Sequence, residues 1–83
     1  MSQAISKRAN AVVTGAGSGI GRAFALAIAA KKGSVVCADI NEVSAAETVA
    51  MIIAGGGQAL AVRCDVSQLA DVEALAAQAQ AFF

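Results

Sequence analysis

Thr14-Gly15-Ala16-Gly17-Ser18-Gly19-Ile20-Gly21 decides the fold of this 83-residue chain. Immediately before it, Ala11-Val12-Val13 is a short apolar run with β-branched residues, which reads as a strand that the glycines close with a turn. Immediately after it, residues 22–32 contain neither Gly nor Pro and are rich in Ala, the composition of a helix apolar on most faces. Lys31-Lys32-Gly33 should end that helix, with cations at the negative helix end and Gly33 as the left-handed stop.

The same unit then repeats. Ser34-Val35-Val36-Cys37-Ala38-Asp39 carries a second strand signature, and Asn41 is placed to cap a helix with Glu42 in its first turn. Val43, Ala46, Val49 or Ala50, and Ile53 recur at helical spacing as its expected buried stripe, up to Gly55-Gly56-Gly57. A third strand is expected over residues 59–64. Ser67 could cap a last helix whose stripe is Leu69, Val72, Leu75, Ala76 and Ala79.

The order β-α-β-α-β-α implies a parallel sheet with right-handed crossovers and strand order 3-2-1, a Rossmann-type α/β segment of an incomplete doubly wound fold. The first two helices should cover one face and the third the other. Continuous apolar strands suit a sheet buried on both faces. The outer edge of the first strand would lack a partner, so a truncated chain or a missing partner is expected. Residues 1–9 read as a flexible lead-in, with Ile5 able to tuck against a neighbour. The whole chain is one unit, the N-terminal part of a single dinucleotide-binding domain.

Composition narrows the partners. Hydrophobic residues make up 58% and charged residues 14%, so much of the surface expects to be covered. Six basic residues balance six acidic ones and no basic run exceeds a pair, which argues against nucleic acid. No apolar stretch approaches the roughly 20 residues that span a bilayer and no signal core is present, so a cytoplasmic protein is expected. Cys37 and Cys64 are separated by 26 intervening residues and lack metal or redox spacing; they read as two buried thiols, and no metal site is expected.

Chemistry resides in the glycine turn. A helix N-terminus offers unpaired N–H groups and about half a positive charge, so a pyrophosphate binds there without a basic side chain. Gly15 lets the chain leave the strand, Gly19 lets backbone approach phosphate, and Gly21 lets the helix pack close against the sheet. The spacing Gly-x-x-x-Gly-x-Gly is neither the Gly-x-Gly-x-x-Gly fingerprint nor a Walker A loop, and Ser18 lacks the flanking glycine of a hydrolase elbow. A plain strand-to-helix turn also fits the glycines alone. Their context adds Asp39, eighteen residues after Gly21 at a strand end, where a carboxylate can accept from both hydroxyls of an adenosine ribose. A 2′-phosphate would meet a like charge there, and residues 38–44 hold no Arg or Lys to receive it, so NAD is expected over NADP. Asp39 is also compatible with a solvated strand end or a helix cap.

The run from Thr14 to Gly21, with Asp39-Ile40-Asn41 and Cys64-Asp65-Val66, resembles the cofactor portion of the short-chain dehydrogenases/reductases, over nearly the whole chain from about Lys7. The resemblance implies that Gly15, Gly17, Ser18, Gly19, Ile20 and Gly21 meet the ribose and phosphates, that Asp39 and Ile40 meet the sugar, and that Asp65 and Val66 serve the adenine amino group and ring. Read on its own residues, Asp65 also fits an Asx-type turn. The resemblance further implies a Tyr with a Lys four residues on, a Ser, and an Asn-Asn-Ala-Gly stretch. None is present, and the chain contains no Tyr or His, so no catalytic residue is assigned. The implied activity is hydride transfer between NAD and a small alcohol or carbonyl substrate by a complete enzyme, expected to be a homo-oligomer, with this segment supplying cofactor binding. An S-adenosylmethionine-dependent methyltransferase segment and a non-catalytic nucleotide-binding module are the alternatives; Thr14, where that transferase class carries an acid, weighs against the first.

Overall fold

The computed structural model describes residues 10–83. The expected lead-in at residues 1–9 lies outside them. Six elements alternate: β1 (Asn10–Thr14), α1 (Gly19–Ala30), β2 (Ser34–Asp39), α2 (Glu42–Ala54), β3 (Gln58–Arg63) and α3 (Leu69–Phe82). The three strands form one parallel sheet in the order β1-β2-β3, which is 3-2-1 read from the other edge. The register aligns Asn10 with Ser34 and Gln58, and Thr14 with Ala38 and Val62.

Alternation along β2 sorts its residues between two cores. Val35 and Cys37 join Val13, Ala25, Ile28 and Ile52 in the layer under α1 and α2, whereas Val36 and Ala38 join Val62, Cys64, Leu75 and Ala79 under α3. The central strand is therefore covered on both faces, and the Rossmann-type arrangement follows from strands apolar on both sides. Among the described residues β1 pairs only with β2, and its Val12 is half-exposed.

Local expectations need correction at three helices. The α2 stripe is rotated by about one residue: Ala45, Thr48 and Ile52 are buried, while Val43 and Ile53 are 70% and 57% exposed. Bulk does not set this face. Small Ala45 lets α2 come close, and the Thr48 hydroxyl donates to the Ala16 carbonyl at 2.7 Å. On α3 only Leu75 and Ala79 of the expected stripe are buried, since the helix lies over β2 and β3. Nor is Ser67 its cap; Gln68 occupies that position without a side-chain bond.

The last correction concerns the end of α1, where the left-handed residue is Lys32, at φ 66°, and not Gly33. Gly33 donates to the Ile28 carbonyl at 3.1 Å and Lys32 to that of Ala29 at 2.9 Å, the paired bonds of a Schellman ending. The end of α2 repeats the motif, with Gly57 bonded to Ile52, Gly56 bonded to Ile53, and Gly56 at φ 88°. The motif places the left-handed residue one position before the Ile28-bonded amide, so at α1 it falls on a lysine. A side chain in that conformation costs roughly 1–2 kcal/mol. Lys32→Gly is therefore expected to stabilise the chain by about 0.5–1 kcal/mol, read as a higher urea midpoint at unchanged slope.

Candidate cofactor site at the strand ends

Parallel pairing brings three loops to the carboxyl edge of the sheet: the glycine turn after β1, Asp39-Ile40-Asn41 after β2, and Cys64-Asp65-Val66 after β3. Two bonds knit them, Ala16 N–H to the Ala38 carbonyl at 3.1 Å and Cys64 N–H to the Asp39 carbonyl at 3.0 Å. Gly15 and Gly19 adopt φ values of 67° and 56°, and a Cβ at either would meet nothing within 4 Å, so space over the turn is open. Gly21 is different. A Cβ there would overlap the Gly15 carbonyl, so the close approach it permits is of α1 to its own turn. At Gly17 a Cβ would lie 2.6 Å from Ser44 Cβ and 2.7 Å from Asp39 Oδ2.

The N-terminus of α1 is left open. Ser18 is its cap residue, in extended conformation, but its side chain accepts no cap bond, and no acid sits in the first turn. By contrast, α2 is capped by Asn41 Oδ1, which accepts from Ser44 N–H at 3.1 Å, and carries Glu42, while α3 carries Asp71. Among the described residues, the first-turn amides of α1 therefore have no side-chain acceptor. Ser18 is exposed, and Ile20 is 89% exposed.

Asp39 stands beside this open end. Its Oδ2 accepts from Gly17 N–H at 2.8 Å and its Oδ1 from Asn41 N–H at 3.0 Å, which fixes the carboxylate between turn and helix. Each oxygen retains a further lone pair for a donor from above. Ile40, after β2, and Val66, after β3, are both exposed. Asp65 Oδ1 accepts from Ser67 Oγ at 2.6 Å and from Ser67 N–H at 3.0 Å, the Asx-type turn compatible with its sequence. The Ser67 hydroxyl, then the Ser67 amide, hold the Asp65 carboxyl below the usual carboxylate range. Among the described residues nothing donates to its Oδ2.

Sequence reasoning missed the supports. Asp71 Oδ2 accepts from Asp65 N–H at 3.0 Å and from Arg63 at 3.3 Å, holding the turn that presents Asp65. Its signal was an acid in the first turn of a helix. Thr48, wholly buried, accepts from Arg22 Nε at 2.9 Å; a hydroxyl in the middle of a mostly apolar helix was the only hint. Cys37 and Cys64 are buried free thiols, and burial pushes Cys37 up to about 11, so it stays protonated and unreactive. Among the described residues there is no metal-holding group of His, Cys, Asp or Glu, and no helix is long and apolar enough to cross a membrane.

A cavity of about 340 Å³ lies at the opposite end of the sheet, lined by residues including Lys32, Gly33, Ser34, Gly55 and Gly57. The carboxyl ends of α1 and α2 converge there, and their partial negative charge disfavours an anion. The open amides and the fixed acid lie at the other edge.

Residues 9–83 match the family model described as short chain dehydrogenase. The chain is 49% identical over 72 residues to 2,5-dichloro-2,5-cyclohexadiene-1,4-diol dehydrogenase of Sphingobium indicum, covering 87% of this chain and 28% of that protein. It is 46% identical over 66 residues to 7alpha-hydroxysteroid dehydrogenase of Escherichia coli, covering 80% and 26% respectively. Among solved structures, a short chain dehydrogenase/reductase from Burkholderia phymatum in complex with NAD superposes with a TM-score of 0.90 at 45% identity, over 94% of this chain and 28% of that one. A 7alpha-hydroxysteroid dehydrogenase complexed with NADH and 7-oxo glycochenodeoxycholic acid gives a TM-score of 0.87 at 42% identity, over 88% and 29%. The chain thus spans between a quarter and a third of the length of these relatives. On the match of residues 9–83, this chain belongs to the short chain dehydrogenase family.

Proposed function

We propose that this chain is the dinucleotide-binding segment of an NAD-dependent oxidoreductase that exchanges hydride with an alcohol or carbonyl substrate. One observation carries the reading: a carboxylate, Asp39, fixed by two backbone amides beside a helix N-terminus that has neither cap nor acid. The residues fit the cofactor. The open space over Gly15 and Gly19 admits a diphosphate to the amides of Gly19, Ile20 and Gly21, where no Cβ intervenes at the two glycines. The spare lone pairs of Asp39 accept the two hydroxyls of the adenosine ribose, Ile40 lies against the sugar, and Gly17 and Ser18 line the turn. Asp65 Oδ2 accepts from the adenine amino group, and exposed Val66 covers a face of the ring.

When bound, the nicotinamide supplies the hydride chemistry. This segment binds and orients it. The reading is supported by the Burkholderia phymatum structure in complex with NAD and the hydroxysteroid dehydrogenase complexed with NADH, both similar over most of the chain. Membership of a dehydrogenase family leaves the methyltransferase reading without an observation in its favour. Calorimetry on the full chain tests the proposal. NAD is expected to bind at least about tenfold more tightly than NADP, because a 2′-phosphate beside Asp39 meets a like charge. Equal affinities would refute the selectivity, and binding of neither would refute the site.

A further inference from the structure

The peptide unit joining Ala16 to Gly17 is gripped at both ends. Its carbonyl accepts from Thr48 Oγ1 at 2.7 Å, and its N–H donates to Asp39 Oδ2 at 2.8 Å. A peptide unit is planar, so turning it breaks both bonds together. Ala16 and Thr48 are wholly buried, so water cannot readily replace the lost partners.

Thr48 has one hydroxyl proton and two carbonyls within reach, Ala16 at 2.7 Å and Ser44, one helical turn back, at 3.4 Å. Arg22 settles the choice. Its Nε donates to Thr48 Oγ1 at 2.9 Å, and a guanidinium accepts nothing, so the hydroxyl must send its proton elsewhere. Its Nη2 donates to the Ser44 carbonyl at 3.3 Å, which also serves the α-helical ladder, so the competing acceptor is engaged. Glu47 Oε1 holds the same guanidinium at 3.1 Å. The proton is left for Ala16, and the Gly17 amide is left facing Asp39.

We infer that Thr48, oriented by Arg22, is a positioning residue for cofactor selectivity: by locking the Ala16–Gly17 peptide it sets the direction in which the Asp39 carboxylate faces. This rests on the reading of Asp39 as the ribose-binding acid. With the lock released, the peptide can turn its carbonyl toward Asp39, and repulsion between the oxygens displaces the carboxylate.

Thr48→Val keeps the shape and removes the hydroxyl. The full chain carrying it is expected to show a ratio of NADP to NAD dissociation constants reduced roughly threefold to tenfold, the worth of one hydrogen bond. In its NMR spectrum the Gly17 amide proton, held downfield by the carboxylate, should move upfield. Thr48→Ser should restore both. A folded Thr48→Val chain with ratio and resonance unchanged overturns the inference. Should that variant not fold, Arg22→Lys takes its place: it keeps a cation by Glu47 but loses Nε, freeing the hydroxyl to turn to Ser44. An unmoved Gly17 resonance there overturns the inference equally. If Asp39→Ala leaves the ratio unmoved, the reading beneath falls; if Asp39→Ala changes it and Thr48→Val does not, only this inference falls.

Discussion

Gly21→Ala is expected to destabilise the chain by about 2–3 kcal/mol and, at this size, to lower its melting temperature by roughly 10–20 °C. The cause is contact with backbone. A Cβ at position 21 overlaps the Gly15 carbonyl oxygen and lies 3.2 Å from Ala16 Cα, and none of these atoms can rotate away as a side chain would. Either α1 lifts from the turn or the turn reshapes, and both disturb the amides that open the helix. Gly19→Ala separates the two effects. Its Cβ enters open space, so its cost is the left-handed φ of 56°, about 1–2 kcal/mol, while the methyl occupies the space proposed for the diphosphate. Thermal melts with and without NAD should therefore show Gly21→Ala as the larger loss of stability, and Gly19→Ala as the larger loss of the NAD-dependent increment relative to its stability. A melting temperature for Gly21→Ala within a few degrees of the parent would show that the close approach is not needed.

Asp39→Ala should weaken NAD binding on the order of a hundredfold or more. Two charge-assisted bonds to the ribose disappear, each worth roughly 1.5–3 kcal/mol net, and the Gly17 amide, buried in the turn, loses its acceptor. NADP binding should fall much less, because the same change removes the like charge that opposes a 2′-phosphate. Titration calorimetry with both cofactors reads the pair of effects. Parallel losses for NAD and NADP would mean that Asp39 serves only as a structural brace between Gly17 and Asn41, two bonds it demonstrably makes.

The backbone of this fold was legible in its sequence because the relevant signals are local. Glycines between an apolar run and a helical one mark a strand-to-helix turn, and Val35-Val36-Cys37 without alternation marks a strand buried on both faces, as its two cores confirm. The capping role of Asn41 was readable for the same reason, and its bond to Ser44 N–H is present. What escaped reading depends on contacts between distant segments. The buried face of α2 is set by Thr48 reaching Ala16, 32 residues away, so hydrophobic spacing pointed to Val43 and Ile53 instead. Lys32 carries the left-handed turn because a hydrogen-bonding register requires it there, whatever the preference of the neighbouring glycine. Asp65 shows a third kind of limit: its turn with Ser67 uses one carboxylate oxygen and nothing among the described residues donates to the other, so the turn does not preclude the proposed adenine contact.

Most directly decisive is a titration of the isotope-labelled full chain with NAD, followed amide by amide in its NMR spectrum. Gly19, Ile20 and Gly21 are expected to shift most, with smaller shifts at Ile40 and Val66, while Lys32, Gly33 and Gly57 around the cavity at the far end of the sheet stay in place. Saturation with NAD that leaves the amides of residues 19–21 unmoved would contradict the binding of a diphosphate at the start of α1.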